Sequence, residues 1–255
     1  MNDSSDNITH QLTLEEYQAI EPAKTIKYPG GEIIFCTPTT TTNWRAEGFF
    51  ENEPETLSWI DGFDEDDVMF DVGANVGTYS LWAAKTRKAK VFAIEPEALN
   101  FAILNKNIFH NKIHNYIAAY CLAVSDGFYL DHLNLSSFSA GNALHGFGKA
   151  VTTVDALAEG FQEFTPAHVQ GSVSMSIDQM VDGGFPVPKH IKVDIDGYED
   201  KVIKGAEKTL EKRETASLLI ETNQNMESHL GFVSYLEGLG YSIDDKDAMN
   251  YIFRR

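Results

Sequence analysis

The sequence has few cysteines and no long apolar run. Its two cysteines, Cys36 and Cys121, are too few for a disulfide framework or a four-thiolate zinc site, so a reducing compartment is expected. The longest apolar stretch, residues 116–124, is about half as long as a membrane-spanning helix. Residues 1–6 are polar and acidic and lack the apolar segment of a secretory signal. These absences predict a cytoplasmic protein that does not enter a membrane.

Basic residues are scarce as well. The chain has 20 lysines and arginines against 38 aspartates and glutamates, which gives a net charge of −18. No more than two basic residues are adjacent anywhere in the chain. Phosphate backbones and anionic lipid surfaces repel such a chain. Nucleic acids and membranes are therefore not expected as partners.

The apolar residues that are present form the pattern of an α/β fold. With 255 residues, 43% of them hydrophobic, the chain is expected to bury one sizeable core. Apolar runs alternate with amphipathic stretches, which predicts a doubly wound, mostly parallel sheet. The predicted strands are residues 68–70, 91–94, 116–124, 190–194 and 217–221, and the predicted helices are residues 78–86, 99–109, 198–213 and 226–239. Two last pieces, 241–243 and 250–253, leave little room for a helix and predict a C-terminal antiparallel hairpin.

Two regions lie outside this alternation. Residues 1–60 carry mixed signals and are expected to form an extension packed on the core. Within them, the Thr-rich stretch 37–42 suits a strand edge or an ordered loop. Residues 127–185 are irregular, with short strand-like pieces at 128–130, 150–154 and 172–176. Because they precede the fourth strand of the alternation, we expect them to build the wall of a substrate site.

The first strand leads into a glycine-rich turn, DVGANVG over residues 71–77, which opens the first helix. Gly73 and Gly77 allow a tight turn and the close approach of a ligand. A dinucleotide site would carry G-x-G-x-x-G here. Instead, Asn75 replaces the middle glycine, and Asp71 would repel a pyrophosphate but attract an ammonium or sulfonium group.

A second acid, Glu95, follows Gly73 by 22 residues, where such folds bind ribose hydroxyls. Together the two acids describe a pocket for a cationic adenosine derivative, of which S-adenosylmethionine is the best candidate. We expect Gly73→Val to abolish cofactor binding in a folded protein. Ser125 and Asp126 follow the third strand and could meet the adenine amino group, although an Asp-Gly turn explains them equally well. The alternative for the whole motif is a plain strand-turn-helix with a solvated Glu95.

Two segments give the sequence a family resemblance. They are FDVGANVGTYS over residues 70–80, followed by Glu95-Pro96, and IKVDIDGYE over residues 191–199, followed by KGA at 204–206 and LIE at 219–221. Together they resemble the FkbM-type methyltransferases over about residues 44–221, although Asp196 stands where that family commonly has Glu. The resemblance implies a Rossmann-like class I methyltransferase domain, which we place at residues 61–255. It also implies S-adenosylmethionine-dependent methylation of a hydroxyl oxygen, on a sugar, glycan or secondary metabolite.

The ends of the fourth and fifth strands supply the candidate catalytic groups. Asp194 ends the fourth strand, and Lys192 shares its face because side chains alternate with a period of two. Glu221 ends the next strand, which lies at about 4.8 Å. These two carboxylates could share a proton, bind a divalent cation such as Mg²⁺, or flank the acceptor hydroxyl. We predict Asp194 as base or metal ligand; the alternative is a loop anchor, and an ion pair explains Lys192 as well as catalysis does.

Three further side chains are ambiguous. Asp196 and Glu199 match an N-terminal capping box for the following helix, which is compatible with substrate contact. His145 lies in the glycine-rich stretch 141–148 and is a candidate substrate contact. The histidines show neither His-x-His nor H-E-x-x-H spacing, so no dedicated metal site is predicted.

Two other function classes stay open. An NAD-linked or nucleotide-sugar-linked oxidoreductase would use a similar sheet, but the chain lacks G-x-G-x-x-G and a Tyr-x-x-x-Lys pair. A non-catalytic scaffold with the same fold would have no use for the acids at the strand ends. The identity of the acceptor is open, and so is the oligomeric state, for which a homodimer is one candidate.

Overall fold

The computed structural model describes residues 12–152, 162–246 and 249–255. Within these ranges the strands are β1 (Ala23–Tyr28), β2 (Gly31–Cys36), β3 (Val68–Val72), β4 (Lys90–Ile94), β5 (Ile117–Tyr120), β6 (Ala123–Val124), β7 (Tyr129–Leu135), β8 (Gly146–Phe147), β9 (Val151–Thr152), β10 (Gln162–Glu163), β11 (His168–Met175), β12 (His190–Val193), β13 (Ser217–Glu221), β14 (Ser242–Lys246) and β15 (Asn250–Arg254). The helices are α1 (Leu14–Ala19), α2 (Thr40–Glu47), α3 (Pro54–Asp61), α4 (Thr78–Trp82), α5 (Ala98–Asn111), α6 (Ile177–Asp182), α7 (Glu199–Lys204), α8 (Glu207–Glu211) and α9 (Glu227–Gly238), and α4 continues into a π-helical turn at Ala83–Arg87. In the described ranges, no helix combines the length and the apolar character that crossing a bilayer requires.

Seven of the described strands form the main sheet, in the order β14-β15-β13-β12-β3-β4-β5. The neighbours from β13 to β5 are parallel, whereas β15 runs antiparallel to both β13 and β14. The predicted mostly parallel sheet is therefore present, with its antiparallel C-terminal strand pair. The strand order reverses between β3 and β12, so a crevice opens at the carboxyl ends of these two strands.

The two faces of this sheet carry separate apolar clusters. Along β3, Met69 belongs to one cluster, and Phe70 and Val72 belong to the other, as the alternation of side chains requires. Phe35 and Trp59, which precede β3, are fully buried in the same cluster as Met69. Residues on both sides of the domain boundary predicted at residue 60 therefore share one core.

The predicted third strand, residues 116–124, is divided in the structure. Its first part, β5, pairs with β4 as far as Ile94 and Tyr120, where β4 ends. The chain then leaves the main sheet, and β6 joins a second sheet of order β6-β11-β7-β8. The region predicted as irregular thus contains this second sheet, whose strands β7 and β11 pair over seven residues from Tyr129 to Leu135.

Two helix predictions also change. The predicted helix 198–213 is divided into α7 and α8, because Thr209 N–H donates to Asp178 Oδ1 at 2.8 Å instead of continuing the helix from Gly205. The Thr-rich stretch is the start of α2 rather than a strand edge or loop. There, Thr39 Oγ1 accepts from the Thr42 N–H at 3.1 Å, and Thr42 Oγ1 accepts from the Thr39 N–H at 3.0 Å. The polar residues 1–6 and residues 153–154 of the strand-like piece 150–154 lie outside the described residues, and Val151 and Thr152 of that piece form β9.

Candidate active site

A cavity of about 250 Å³ opens at the carboxyl ends of β3, β4 and β12, beside the point where the strand order reverses. The predicted site residues that line it are Gly73, Asn75, Glu95, Ser125, Lys192 and Asp194. The predicted site residues outside its lining are Asp71, Gly77, Asp126 and Glu221. The structure therefore brings most of the predicted cofactor side and most of the predicted acceptor side to one cavity.

Gly73 is the point where two loops of the cavity meet. The backbone after β3 turns there with a φ of +84°, a conformation that favours glycine. The Gly73 N–H donates to the Ile94 carbonyl at 3.0 Å, which fixes the turn against β4. A Cβ atom on Gly73 would strike the backbone carbonyl of Asp194. The missing side chain thus serves the contact between these loops as well as the shape of the cavity.

Glu95 is buried at the end of β4 and holds the glycine-rich turn. Its Oε2 accepts from the Asn75 N–H at 2.8 Å, and its Oε1 accepts from the Glu97 N–H at 2.9 Å. Burial raises the pKa of Glu95 to about 7, although these two hydrogen bonds oppose the rise. A carboxylate offers about four acceptor positions. The Asn100 side chain also hydrogen-bonds to Glu95, so about one position remains for a hydroxyl group, and the ribose contact of Glu95 stays a prediction.

Asn75 joins the turn to the region predicted as the substrate wall. The side-chain amides of Asn75 and Asn100 both donate to the Asn142 carbonyl, at 2.9 and 3.0 Å. In return, the Gly141 N–H donates to Asn100 Oδ1 at 2.6 Å. The loop that carries Asn142 is therefore held over the turn, and both asparagines line the cavity.

Asp71 and Gly77 support the cavity from outside its lining. Asp71 is buried, accepts from Ser80 Oγ at 2.5 Å, and lies beside Lys192 in the β3–β12 register. Gly77 has a φ of +90°, and a Cβ atom on it would lie 2.5 Å from a methyl carbon of Leu104 in α5. The structure adds no support to the predicted cofactor contacts of these two residues, which stay predictions. Asp71 acts through Lys192 and α4, and Gly77 allows α4 to begin against α5.

Ser125 and Asp126 have different surroundings in the structure. Ser125 is buried and lines the cavity. Asp126 points to Lys204, whose Nζ lies 3.1 Å from its Oδ2, and accepts from the Tyr129 hydroxyl at 3.2 Å. Burial would raise the pKa of Asp126, but the hydrogen bonds from Lys204 and Tyr129 lower it below its ordinary value. The predicted adenine contact stays a prediction for both residues, and of the two only Ser125 lines the cavity.

Lys192 and Asp194 form a buried ion pair at the floor of the cavity. Lys192 Nζ lies 2.6 Å from Asp194 Oδ2 and 5.0 Å from the centre of the Tyr79 ring. The Lys192 side chain is 1% exposed, and that of Asp194 is 31% exposed. Burial lowers the pKa of Lys192, but the surrounding carboxylates, Asp194 foremost, raise it above its ordinary value. Lys192 is therefore a fixed cation beside Asp194.

Glu53 also belongs to this cluster, although nothing in the sequence marked it as a candidate catalytic residue. It immediately precedes α3, lines the cavity, and hydrogen-bonds to the Tyr79 hydroxyl. Thr56 Oγ1 also donates to Glu53 Oε2 at 2.8 Å. Burial raises the pKa of Glu53, Lys192 opposes the rise, and Asp194 adds to it. In the sequence, the Glu53-Pro54-Glu55 run signalled only a helix start.

Glu221 does not join this cluster. It ends β13 next to Asp194 in the register, but it is absent from the cavity lining. Burial and the negative charge of Asp194 raise the pKa of Glu221 far above its ordinary value. A protonated carboxyl group is a poor cation ligand, and Lys192 already contacts Asp194. The arrangement therefore offers no support for the predicted divalent cation between Asp194 and Glu221.

The predicted capping box at Asp196 and Glu199 is replaced by a different arrangement. Asp196 has a φ of +62°, and its Oδ2 accepts from the Leu144 N–H at 2.7 Å. Glu199 Oε1 accepts from the N–H groups of Ile195 and Gly197, at 2.9 and 3.3 Å. Asp196 lines the cavity, and burial together with Asp194 raises its pKa to about 7.

Cationic and aromatic groups border the same cavity. Arg45 lines it and donates from Nε to the Gly141 carbonyl at 2.6 Å. Lys201 lines it as well, with Nζ 5.4 Å from the centre of the Tyr198 ring. His145 is also part of the lining, as predicted, and burial lowers its pKa to about 4. A neutral His145 and two cations therefore face any ligand on this side.

Comparisons with known proteins agree with this geometry. A sequence model described as the methyltransferase FkbM domain matches residues 71–243. The hexuronic acid methyltransferase AglP of Haloferax volcanii is 28% identical over 197 residues, which are 76% of this chain and 72% of AglP. A solved methyltransferase FkbM of Methylobacillus flagellatus KT matches 76% of this chain with a TM-score of 0.52 and 17% identity. The match covers 44% of that structure, so this chain spans less than half of its length. The predicted Rossmann-like class I methyltransferase fold is confirmed.

Proposed function

The chain belongs to the methyltransferase FkbM family, and from this premise we propose that it transfers the methyl group of S-adenosylmethionine to a sugar hydroxyl. The observation that carries the proposal is a single cavity with two different ends. Glu95 and the glycine-rich turn form one end, and the Lys192–Asp194 ion pair forms the other. Such an arrangement suits a charged nucleotide-like donor and a polar acceptor that meet between them.

The residues at the first end fit S-adenosylmethionine. Glu95 keeps about one acceptor position for a ribose hydroxyl. Ser125 and the apolar Val124 line the place next to it, where an adenine ring finds both a hydrogen bond and a dry surface. When bound, S-adenosylmethionine supplies a methyl group on a positively charged sulfur, which makes the methyl carbon electrophilic.

At the second end, the residues of this chain orient and deprotonate the acceptor. Asp194 accepts a hydrogen bond from the acceptor hydroxyl, and Lys192, 2.6 Å from Asp194 Oδ2, keeps it in place. Glu53, whose pKa is raised, takes the hydroxyl proton directly or through Asp194. With the donor bound, the acceptor oxygen would bond to the methyl carbon as the carbon–sulfur bond breaks, and the proton would pass to the carboxylate. The products would be the methyl ether, S-adenosylhomocysteine and the protonated carboxyl group, so atoms and charge balance.

We propose a sugar acid as the acceptor class. AglP, a relative over three quarters of the chain, is named for a hexuronic acid. Arg45 and Lys201 border the cavity and suit a carboxylate in a molecule that is otherwise strongly acidic. A sugar acid offers its hydroxyl oxygens and its carboxylate oxygen to a methyl group, and only the hydroxyls need a base. The Glu53–Asp194–Lys192 cluster supplies a base, which favours a hydroxyl oxygen as the methyl acceptor.

Two measurements on the full chain test this proposal. Calorimetric titration with S-adenosylhomocysteine tests the donor site, and we expect saturable binding to one site. Transfer of a labelled methyl group to 4-nitrophenyl glucuronide, with 4-nitrophenyl glucoside as the matched neutral acceptor, tests the acceptor class. We expect label in the glucuronide that survives mild alkali, because an ether is stable where a methyl ester is hydrolysed.

Other outcomes separate the alternatives. Cofactor binding by NAD but not by S-adenosylhomocysteine would favour the oxidoreductase that the sequence left open. An absence of binding to either would favour the non-catalytic scaffold. Label that alkali releases would move the acceptor atom to the carboxylate and remove the need for a base.

A further inference from the structure

Three side chains from separate segments meet on the side of α5 that packs against the β1–β2 hairpin. They are Glu21, just before β1, Cys36, the last residue of β2, and His110, in the last turn of α5. Their ligand atoms all lie within 4.8 Å of one another, and His110 Nε2 lies 3.1 Å from Glu21 Oε1. We propose that Glu21, Cys36 and His110 form a zinc site.

The kinds of donor atom in this group select the metal. A thiolate, an imidazole and a carboxylate are the three types of ligand that Zn²⁺ takes in proteins. Ca²⁺ and Mg²⁺ require oxygen ligands only, and the thiol excludes them. Three protein ligands leave the fourth tetrahedral position to water. Glu21 is exposed, so its side chain has room to rotate towards a tetrahedral ligand position.

The backbone around the three ligands is already fixed. The Cys36 N–H donates to Asn107 Oδ1 at 2.7 Å, one helical turn before His110. Asn111 accepts from the Ile34 N–H at 3.0 Å and donates to its carbonyl at 2.7 Å. These buried amides hold the hairpin in register with α5. The ligands therefore meet without ordering any chain, and binding loses little entropy.

The charges around the site are compatible with a cation. Lys106 Nζ lies 3.3 Å from Glu21 Oε1, but its side chain is 56% exposed and can move into solvent. Burial and the nearby Glu21 keep the pKa of the Cys36 thiol above its ordinary value, while Lys106 opposes them. Binding then replaces the thiol proton by the metal and releases the proton to water, as zinc-thiolate formation requires.

A metal here would also support the glycine-rich turn. Asn107, which holds Cys36, donates from Nδ2 to the Val76 carbonyl at 2.8 Å. Cys36 and Val76 share one small apolar cluster with Ile103 and Ala140. Zinc would therefore fasten the hairpin, α5 and the turn to one another. The inference is independent of the methyl-transfer proposal, because it rests on other residues.

The test titrates the metal-free full chain with Co²⁺, a spectroscopic substitute for zinc. We expect one equivalent to bind with a thiolate-to-cobalt charge-transfer band, which Zn²⁺ then abolishes, and a higher melting temperature with either metal. Cys36→Ser and His110→Gln should each weaken binding by at least about tenfold. Cys121→Ser and His114→Gln, which change the other cysteine and an exposed neighbouring histidine, should leave the titration unchanged.

His110→Gln protects the test from a folding failure, because His110 is partly exposed whereas Cys36 is buried. A titration without the charge-transfer band would overturn the proposal. So would a band that persists in Cys36→Ser or disappears in Cys121→Ser, since the thiolate would then be elsewhere. Unchanged affinity in a folded His110→Gln variant would remove the imidazole from the site.

Discussion

Burial and ion pairing set the charge of each carboxyl group in the cavity. Glu95 and Asp196 are held by backbone N–H groups, yet burial raises the pKa of both to about 7. Asp194 has Lys192 at 2.6 Å instead. Glu95 and Asp196 therefore change charge near neutral pH, whereas Asp194 forms a close ion pair with Lys192.

The pKa of Glu95 predicts how donor binding depends on pH. A carboxyl group with a pKa of about 7 is mostly protonated at pH 6 and mostly ionised at pH 8. The ionised form accepts the stronger hydrogen bonds from hydroxyl groups. Calorimetry should therefore give an affinity for S-adenosylhomocysteine about tenfold higher at pH 8 than at pH 6. Glu95→Gln should bind more weakly and show no such rise.

Glu237→Gln is the control, because Glu237 is exposed on α9 and should retain the rise. If Glu95→Gln kept the full pH dependence, another group such as Asp196 would be responsible. Unchanged affinity of Glu95→Gln at pH 8 would remove the ribose contact.

Asp194→Asn should separate binding from transfer. The substitution keeps the size of the side chain but removes the charge that faces Lys192. We expect S-adenosylhomocysteine binding to survive and turnover to fall by about 10²–10⁴-fold. Glu53→Gln should give a similar loss, and Asp131→Asn, an exposed control, should give none. Full turnover by Asp194→Asn would contradict the assignment, and a loss with EDTA that Mg²⁺ restores would reinstate the divalent cation.

The strand-end acids could be predicted from the sequence, and their roles could not. The α/β pattern places Glu95 and Asp194 at the carboxyl ends of strands, and parallel strands bring these ends together. Asp71 does not line the cavity, because it lies within β3, beside Lys192 in the register, and accepts a hydrogen bond from Ser80 Oγ. Glu53 was missed because its contact with Tyr79 joins distant segments, and no local spacing reports such a contact.

At the scale of secondary structure elements, the cavity depends on two loops that touch at Gly73. The loop after β3 and the loop after β12 are so close that the Gly73 position has no room for a Cβ atom. The expectation that Gly73→Val stays folded is therefore corrected, since the valine side chain would displace the backbone of Asp194. Cofactor binding and loop geometry are lost together at this position.

Thermal or urea unfolding of three glycine-to-alanine variants should show how the free energy of unfolding depends on the space around each glycine. Gly77→Ala should cost at least about 1–2 kcal/mol, for its positive φ and for the displacement of Leu104. Gly73→Ala should cost more, because it strikes backbone rather than a flexible side chain. Gly231→Ala, in α9 with open space around it, should gain about 0.5–1 kcal/mol. Equal stability of Gly73→Ala and the natural protein would contradict the contact.

The elements of the main sheet follow from local signals, whereas those of the second sheet do so only in part, through the strand-like pieces 128–130 and 172–176 that overlap β7 and β11. The buried parallel strands are continuous apolar runs with helices between them, which a single sequence displays. By contrast, the paired strands β7 and β11 are separated by more than thirty residues of chain. Both strands contain exposed and polar residues, and neither contains a continuous apolar run. The break at Gly205 was missed for a similar reason, since Asp178 of α6 redirects the helix hydrogen bonds from outside.

For the whole molecule, the dominant feature is its acidity. A net charge of −18 spreads repulsion over the surface. Some of this charge is paired, as in Lys24–Glu47, Lys88–Glu65 and Arg254–Asp244, but these pairs are solvent-exposed and contribute little each. That nucleic acids do not bind stays a prediction, and a homodimer stays one candidate for an oligomeric state that is open.

The acidity predicts that salt stabilises the folded protein. From 0.01 to 0.15 M ionic strength the screening length falls from about 30 to about 8 Å, so repulsion between distant carboxylates is reduced more than attraction within close pairs. Scanning calorimetry should therefore show a melting temperature that rises over this range and changes little beyond about 0.3 M. The measurement should be repeated with NaCl and Na₂SO₄ at equal ionic strength. If screening is the cause, the melting temperatures in the two salts coincide below 0.15 M, whereas salting-out gives a higher melting temperature in sulfate. A melting temperature that falls with added NaCl would mean that the surface ion pairs outweigh the repulsion of the net charge.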